Sequence, residues 1–284
     1  METKSEHYLS KLHQELIGIM DDVDKACKKL NLKYYLVGGT LLGAIRHKGF
    51  IPWDDDLDIA MPRPDFDKFM QMAEKYLPTY MKIMWVTTNE NHPFLFAKVV
   101  DCRTLFQQRS RYNDGIFIDV FPLDYSPAFS PSLNVRKKMA VYLCRIIRIK
   151  NTKNVRLKTF KYFVMSKILS NKFAQKAILH LLTTAQNNGK THLANFGSQY
   201  NLSKQTLPVE WYGGGIPVQF ESRTYMAPND YCQVLNSIYG ANYMQIPPEA
   251  KRRCHYPVKV KFSDGEIMEF DVPKHIVTIE EQQK

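Results

Sequence analysis

Between residues 8 and about 30, apolar side chains recur every three or four positions, at Leu9, Leu12, Leu16, Met20, Val23, Cys27 and Leu30, with polar residues between them. That spacing predicts an amphipathic helix with one buried stripe. The period then changes. "KYYLVGGTLLGAIR" opens with a β-rich run from Tyr34 to Val37, breaks at a Gly pair and resumes with helical composition, which predicts strand, tight turn and helix. In "DLDIAM" the alternation is strict, placing Leu57, Ile59 and Met61 on one face of an expected strand and Asp56, Asp58 and Ala60 on the other. Pro64 then opens an expected helix through Leu77.

Two more β-rich runs follow, "MKIMWVTT" and "FLFAKVV", and then "GIFIDVFPLD", with Asp119 in the middle of an apolar run. From about 132 to 188 the pattern is helical, without repeats or low-complexity sequence. "YGGGIPVQFESRTYMAP" predicts turns and short strands, "NDYCQVLNSIYG" a capped helix closed by Gly240, and "VKVKFSDGEIMEFDV" a hairpin turning at Asp264-Gly265. The expected architecture is α+β, a mixed sheet flanked by helices and interrupted by a helical insert, with a small C-terminal α/β portion.

Composition narrows the class. A chain of 284 residues can bury a substantial core, and its 44% hydrophobic content is too high for a disordered protein. The five cysteines are dispersed and form no C-x-x-C pair, which points to reduced thiols rather than a disulfide frame or a zinc site. The first residues carry no signal-peptide pattern and no run approaches eighteen apolar residues, so a cytoplasmic protein is expected. Charge is uneven: no acidic residue lies between Asp124 and Glu210, while fifteen Lys and Arg fall between Arg136 and Lys204. Subtracting those 15 from the formal +11 leaves −4, so a mildly acidic body carries a basic middle segment.

Asp56 and Asp58, at alternate positions of one strand, can converge on one hard cation. Mg²⁺ prefers one or two carboxylates together with substrate phosphate oxygens and water, which suits a D-x-D pair. Asp119 sits in a β-rich run, where a buried carboxylate needs a metal, a cation or hydrogen bonds to offset its burial. Each feature also has an ordinary reading: a lone D-x-D is often a solvated strand end, and a lone Asp can cap a helix or pair with a base. Together with the Gly38–Gly39 turn upstream, which would let the backbone approach a phosphate, they resemble the nucleotidyltransferase-fold pattern.

"GGTLLGAIRHKGFIPWDDDLDIAMPR" closely resembles the signature of the LicD family, whose best-known members transfer phosphocholine from CDP-choline to cell-surface glycans. The resemblance continues through "FAKVVDCRT" and "GIFIDVFPLD" and returns in "YGANYMQIPPEAKRRCH", covering roughly 10–125 and 210–256. It implies a catalytic core over 1–125, the basic helical insert over 126–209, and a C-terminal part over 210–284 that completes the domain. It further implies that Asp56, Asp58 and Asp119 form the catalytic and metal-binding set for Mg²⁺. Asp119 would share the metal or accept the acceptor's proton. Gly38, Gly39, Thr40, Arg46, His47 and Lys98 would bind the CDP-activated donor.

The acceptor implied is a glycan or lipid-linked glycan such as teichoic acid, lipopolysaccharide or capsule precursor, and no nucleic acid is expected. Relatives that move ribitol, glycerol or ethanolamine phosphate, or a nucleotidyl group, are the alternatives. A basic glycan- or nucleic-acid-binding protein without catalysis is another. Residues 132–190, mixing apolar and basic positions, are expected to contact an anionic membrane peripherally. Asp54 is expected to cap or bind a second cation, Asp55 to pair with Arg46 or Arg63, and Trp53 to pack. "WYGGG" at 211–215 is a candidate aromatic site for choline, against the ordinary and favoured reading of core aromatics beside a turn.

Overall fold

The computed structural model of the chain describes residues 3–108, 113–150, 160–183, 189–249, 252, 254 and 257–271. It opens with the long helix α1 (Lys4–Leu30), started by a reciprocal capping box between Thr3 and Glu6 and ended by Asn31 in the left-handed conformation. Its apolar stripe is buried, as the periodicity predicts. Next come β1 (Tyr35–Leu36), α2 (Gly38–His47), β2 (Asp58–Pro62) and α3 (Arg63–Met72). Then follow β3 (Met81–Met84), β4 (Ala97–Gln107) and β5 (Asn113–Ser126).

The basic segment forms α4 (Pro131–Lys150), α5 (Phe160–Ile168) and α6 (Asn171–Leu182), followed by β6 (His192–Ala194) and β7 (Thr206–Pro208). The last part contains α7 (Val209–Tyr212), a hairpin of β8 (Ile216–Phe220) and β9 (Arg223–Ala227), and α8 (Tyr231–Tyr239). It ends in β10 (Lys259–Lys261) and β11 (Ile267–Glu269).

Among the described residues nine strands form one mixed sheet, with β1-β2-β5-β4-β10-β11 as its path, β3 attached to β4, β6 to β5, and β7 to β6. The fold is α+β. Only β2 and β5 run parallel, and the other pairings in this sheet are antiparallel. β4 bulges between Asp101 and Phe106, and Gly115 opposite is the residue that permits it: a Cβ there would lie 2.0 Å from the Asp101 carbonyl oxygen. The predicted turn at Asp264-Gly265 closes β10 onto β11 with Gly265 at φ +93°. This hairpin continues the central sheet through the pairing of β10 with β4.

Several boundaries differ from the sequence reading, among them that of α3, which ends at Met72 rather than at Leu77. No turn separates β1 from α2, because Gly38, at φ +57°, is already the first helical residue. Asp56 also precedes β2, which begins at Asp58, although the Leu57 carbonyl already accepts the Asp119 N–H at 3.0 Å. All five cysteines are free thiols.

Candidate active site

The cross-strand register builds the site. Asp58 of β2 lies opposite Asp119 of β5, and Asp119 lies opposite Lys98 of β4. Neighbouring strands are about 4.8 Å apart, so three chemically active side chains stand in one row on one sheet face. The alternate residues, Leu57, Ile59, Ile118, Val120, Ala97 and Val99, are fully buried in the main core on the other face. Alternation in each strand thus fixes the direction of the row, and pairing makes it continuous.

Lys98 is 5% exposed, with its ammonium 3.3 Å from Asp119 Oδ1. Three rings surround that ammonium: Phe117, Phe94 and Phe96, with centroids at 3.1, 4.9 and 5.7 Å. Ring faces and the carboxylate together offset the desolvation of a buried cation. Arg148 of α4 reaches Phe94 at 5.4 Å, so the basic segment touches this wall.

The Gly pair makes room for carboxylates. A Cβ on Gly38 would lie 3.2 Å from Asp58 Oδ2, and one on Gly39 would lie 2.7 Å from Asp54 Oδ2. Both glycines belong to the first turn of α2, whose helix dipole favours negative charge. Thr40 is buried and its hydroxyl accepts the Asp58 N–H at 2.8 Å, fastening α2 to β2. Burial raises Asp58 well above the usual carboxylate range, and the charges of Asp56, Asp119 and Asp54 raise it further, while Lys98 opposes them.

A hard divalent cation fits this donor set. The carboxylates repel one another, present only oxygen and leave backbone space at Gly38. Among the described residues, no three of His, Cys, Asp and Glu stand in metal-ligating geometry. The fit is therefore to an ion shared with substrate oxygens and water, not to a closed protein cage.

The remaining expected residues take more structural places. Arg46 donates from Nε to His47 Nε2 at 2.9 Å, and from Nη1 to the carbonyls of Tyr243 and Gln245 at 3.1 and 3.2 Å. It thereby ties α2 to the C-terminal motif. Burial and the Arg46 charge lower His47, in keeping with its acceptor role. Asp55 does not pair with Arg46 or Arg63. It is buried and takes the Tyr8 hydroxyl at 3.5 Å, while Arg63 binds Asp124.

Asp54 lies beside Gly39, and its carbonyl contacts His13 Nε2 at 2.8 Å. Trp53 packs partly buried, with the Arg252 guanidinium 4.5 Å from its ring. Tyr212 of "WYGGG" is buried against Tyr35, which makes it a core aromatic with no open face for choline. Arg253 and His255 of the "KRRCH" end lie outside the described residues.

Two residues escaped the sequence reading. Tyr200 and Tyr239 meet edge to face, with ring centroids at 5.5 Å. Burial raises both phenols, and the charges of Asp54 and Asp58 add to the shift. The loop carrying Tyr200 is held by half-buried Lys137 of α4, which donates to the Ser198 and Tyr200 carbonyls at 2.7 and 3.0 Å. Burial lowers this lysine to about 8. Gly197 lets the loop cross the Phe121 ring, which a Cβ would approach to 2.9 Å. With sixteen tyrosines in the chain, only long-range packing distinguishes these two.

Beneath the aromatic wall, His92 is fully buried, with Nε2 2.7 Å from the Phe96 carbonyl oxygen and Nδ1 lacking a hydrogen-bond partner. Burial drives it from 6.5 to about 3, against the opposing effect of the Phe96 bond. The stability this neutral ring supplies is complete above pH 6.5 and is lost as pH falls toward 3. Across that window the unfolding free energy should fall by at most about 1.4 kcal/mol per pH unit from this group. Denaturant titrations at stepped pH should show a shallower slope in His92→Gln.

Comparison with known proteins places these residues in context. Residues 31–142 match the family described as LicD/FKTN/FKRP, nucleotidyltransferase domain, a span that includes α2, β2, β4 and β5. Over 256 residues the chain is 30% identical to the lipopolysaccharide cholinephosphotransferase LicD of Haemophilus influenzae, covering 84% of this chain and 92% of that protein. Uncharacterised proteins of Rickettsia typhi and Rickettsia prowazekii are each 32% identical, over 111 and 112 residues, covering 34% and 40% of their lengths.

Proposed function

The chain belongs to the LicD family, and on that premise we propose that it is a phosphotransferase of nucleotidyltransferase-like fold that moves phosphocholine from CDP-choline onto a glycan hydroxyl. The observation that carries this reading is the row Asp58–Asp119–Lys98 across three adjacent strands, with Gly38 and Gly39 opening backbone space beside it. The H. influenzae relative is a lipopolysaccharide cholinephosphotransferase, which supports phosphocholine as the group and an LPS-like glycan as the acceptor.

In the proposed reaction the acceptor oxygen bonds to the phosphorus that carries choline, the bond from that phosphorus to CMP breaks, and the hydroxyl proton leaves. Asp56 and Asp58 would hold Mg²⁺, which when bound would neutralise charge on the departing CMP. Asp119 would share the ion or take the proton, with the Lys98 ammonium 3.3 Å from its Oδ1 in either role. The first turn of α2 would offer its backbone N–H groups to the donor's phosphates. Arg46 positions the C-terminal motif against α2 rather than gripping phosphate with all its donors.

The test is a donor panel of CDP-choline, CDP-ethanolamine, CDP-ribitol and CDP-glycerol with Mg²⁺, reading CMP release. CDP-choline is expected to be turned over fastest, with slow hydrolysis even without acceptor. CMP release from another donor alone would reassign the group. Pyrophosphate release from a nucleoside triphosphate would mark nucleotidyl transfer.

A further inference from the structure

We propose that α4, α5 and α6 form a docking face for a bilayer bearing anionic head groups. Among the described residues, seven of the eleven large apolar side chains that stand exposed lie between 129 and 173. Six of them, Val135, Met139, Phe160, Val164, Ile168 and Phe173, are on these three helices and are 43% to 72% exposed.

The exposed residues are ordered. On α5, Phe160, Val164 and Ile168 follow at intervals of four, with exposed Lys161 and Lys167 beside them. On α6, exposed Lys172, Phe173 and Lys176 share a stripe, and on α4 exposed Lys138 lies next to Val135 and Met139. Each outer stripe thus alternates apolar and cationic side chains.

The inner faces already have partners. Leu133, Ala140, Cys144 and Ile147 of α4 pack with Ala174 and Ile178 of α6 in a second core. Tyr162 of α5 packs with Ile146 and Ile149 of α4 in a third. The exposed apolar side chains are therefore not needed to hold these helices together.

Charge selects the occupant. No acidic residue occurs between Asp124 and Glu210, so nothing within the segment neutralises these lysines. A second copy would bring the same cationic face and be repelled. Nucleic acid would match the charge but offers nothing to aliphatic Val135, Val164 and Ile168. An anionic bilayer interface matches both features: head groups meet the lysines, whose stems extend upward, while Phe, Ile, Val and Met tips enter the acyl boundary. No helix among the described residues is long and apolar enough to cross a membrane, so the contact is lateral. The inference does not depend on which group the enzyme transfers.

The test is flotation of the full chain with phosphatidylcholine vesicles, with and without phosphatidylglycerol, at low and high salt. Capture only by phosphatidylglycerol vesicles, released by salt, is expected. Each lysine removed should weaken binding about fivefold. The combined Lys161→Glu, Lys167→Glu, Lys172→Glu and Lys176→Glu protein should not float at all. Phe160→Ser with Val164→Ser and Ile168→Ser should weaken capture at high lipid content while charge attraction persists. Both proteins should melt cooperatively and release CMP in solution like the parent, which separates loss of docking from loss of fold.

Equal capture by neutral vesicles would overturn the proposal, as would no capture at low salt or unaltered capture of the lysine variant. Dimerisation abolished by the serine variant without lipid, or RNA binding without vesicle binding, would also overturn it by assigning the face to another partner.

Discussion

Asp58→Asn is expected to lower CMP release by about three orders of magnitude, the scale on which losing one preorganised electrostatic contact to a transition state is felt. The same substitution should leave the melting temperature unchanged or raise it. Asp58 is partly buried and pressed by the charges of Asp56, Asp119 and Asp54, with only Lys98 opposing. An amide removes that repulsion while keeping the shape of the side chain. Its backbone N–H still reaches Thr40, so β2 stays fastened to α2. Activity and stability should therefore move in opposite directions, a pairing that a purely structural carboxylate would not produce. Steady-state kinetics and thermal denaturation of one preparation decide the matter, and full turnover in Asp58→Asn would refute its place in the reaction.

Arg63→Met should cost about 3–5 kcal/mol of stability, the typical loss when one partner of a buried ion pair is removed. Arg63 and Asp124 are each 1% exposed and joined by two bonds of 2.8 Å. The guanidinium also reaches Asp67 at 3.4 Å and lies over the Phe66 ring at 5.1 Å. Without it, a carboxylate buried at the end of β5 loses its main compensation. For a chain of this size the melting temperature should drop by roughly 10 °C. Replacing both partners, Arg63→Met with Asp124→Leu, should recover part of that loss, because no charge then remains buried. Equal destabilisation of the single and double variants would show that packing alone accounts for the effect.

The local pattern determined much of this protein. Spacing of three and four along α1, alternation through Leu57, Ile59 and Met61, and the capped helix ending at Gly240 all set element type from residues close in sequence. Family resemblance named Asp56, Asp58, Asp119 and Lys98 on the same short stretches. Distance along the chain marks where legibility ends.

Asp58 and Asp119 lie 61 positions apart in sequence, and only the parallel register of β2 with β5 makes them neighbours. Asp55 does not take Arg63 as its partner for the same reason: the two are near in sequence, but α3 starts beside the end of β5, where Arg63 binds Asp124. Tyr200 meets Tyr239 of α8 only because Lys137 of α4 holds its loop and Gly197 lets that loop cross Phe121. The sequence by itself determined which side chains each element presents and to which face, since helix and strand periods follow from backbone geometry. Only the tertiary structure decided which carboxylates meet and which cation compensates each of them, because strand register and helix docking are settled by packing among residues far apart in the chain.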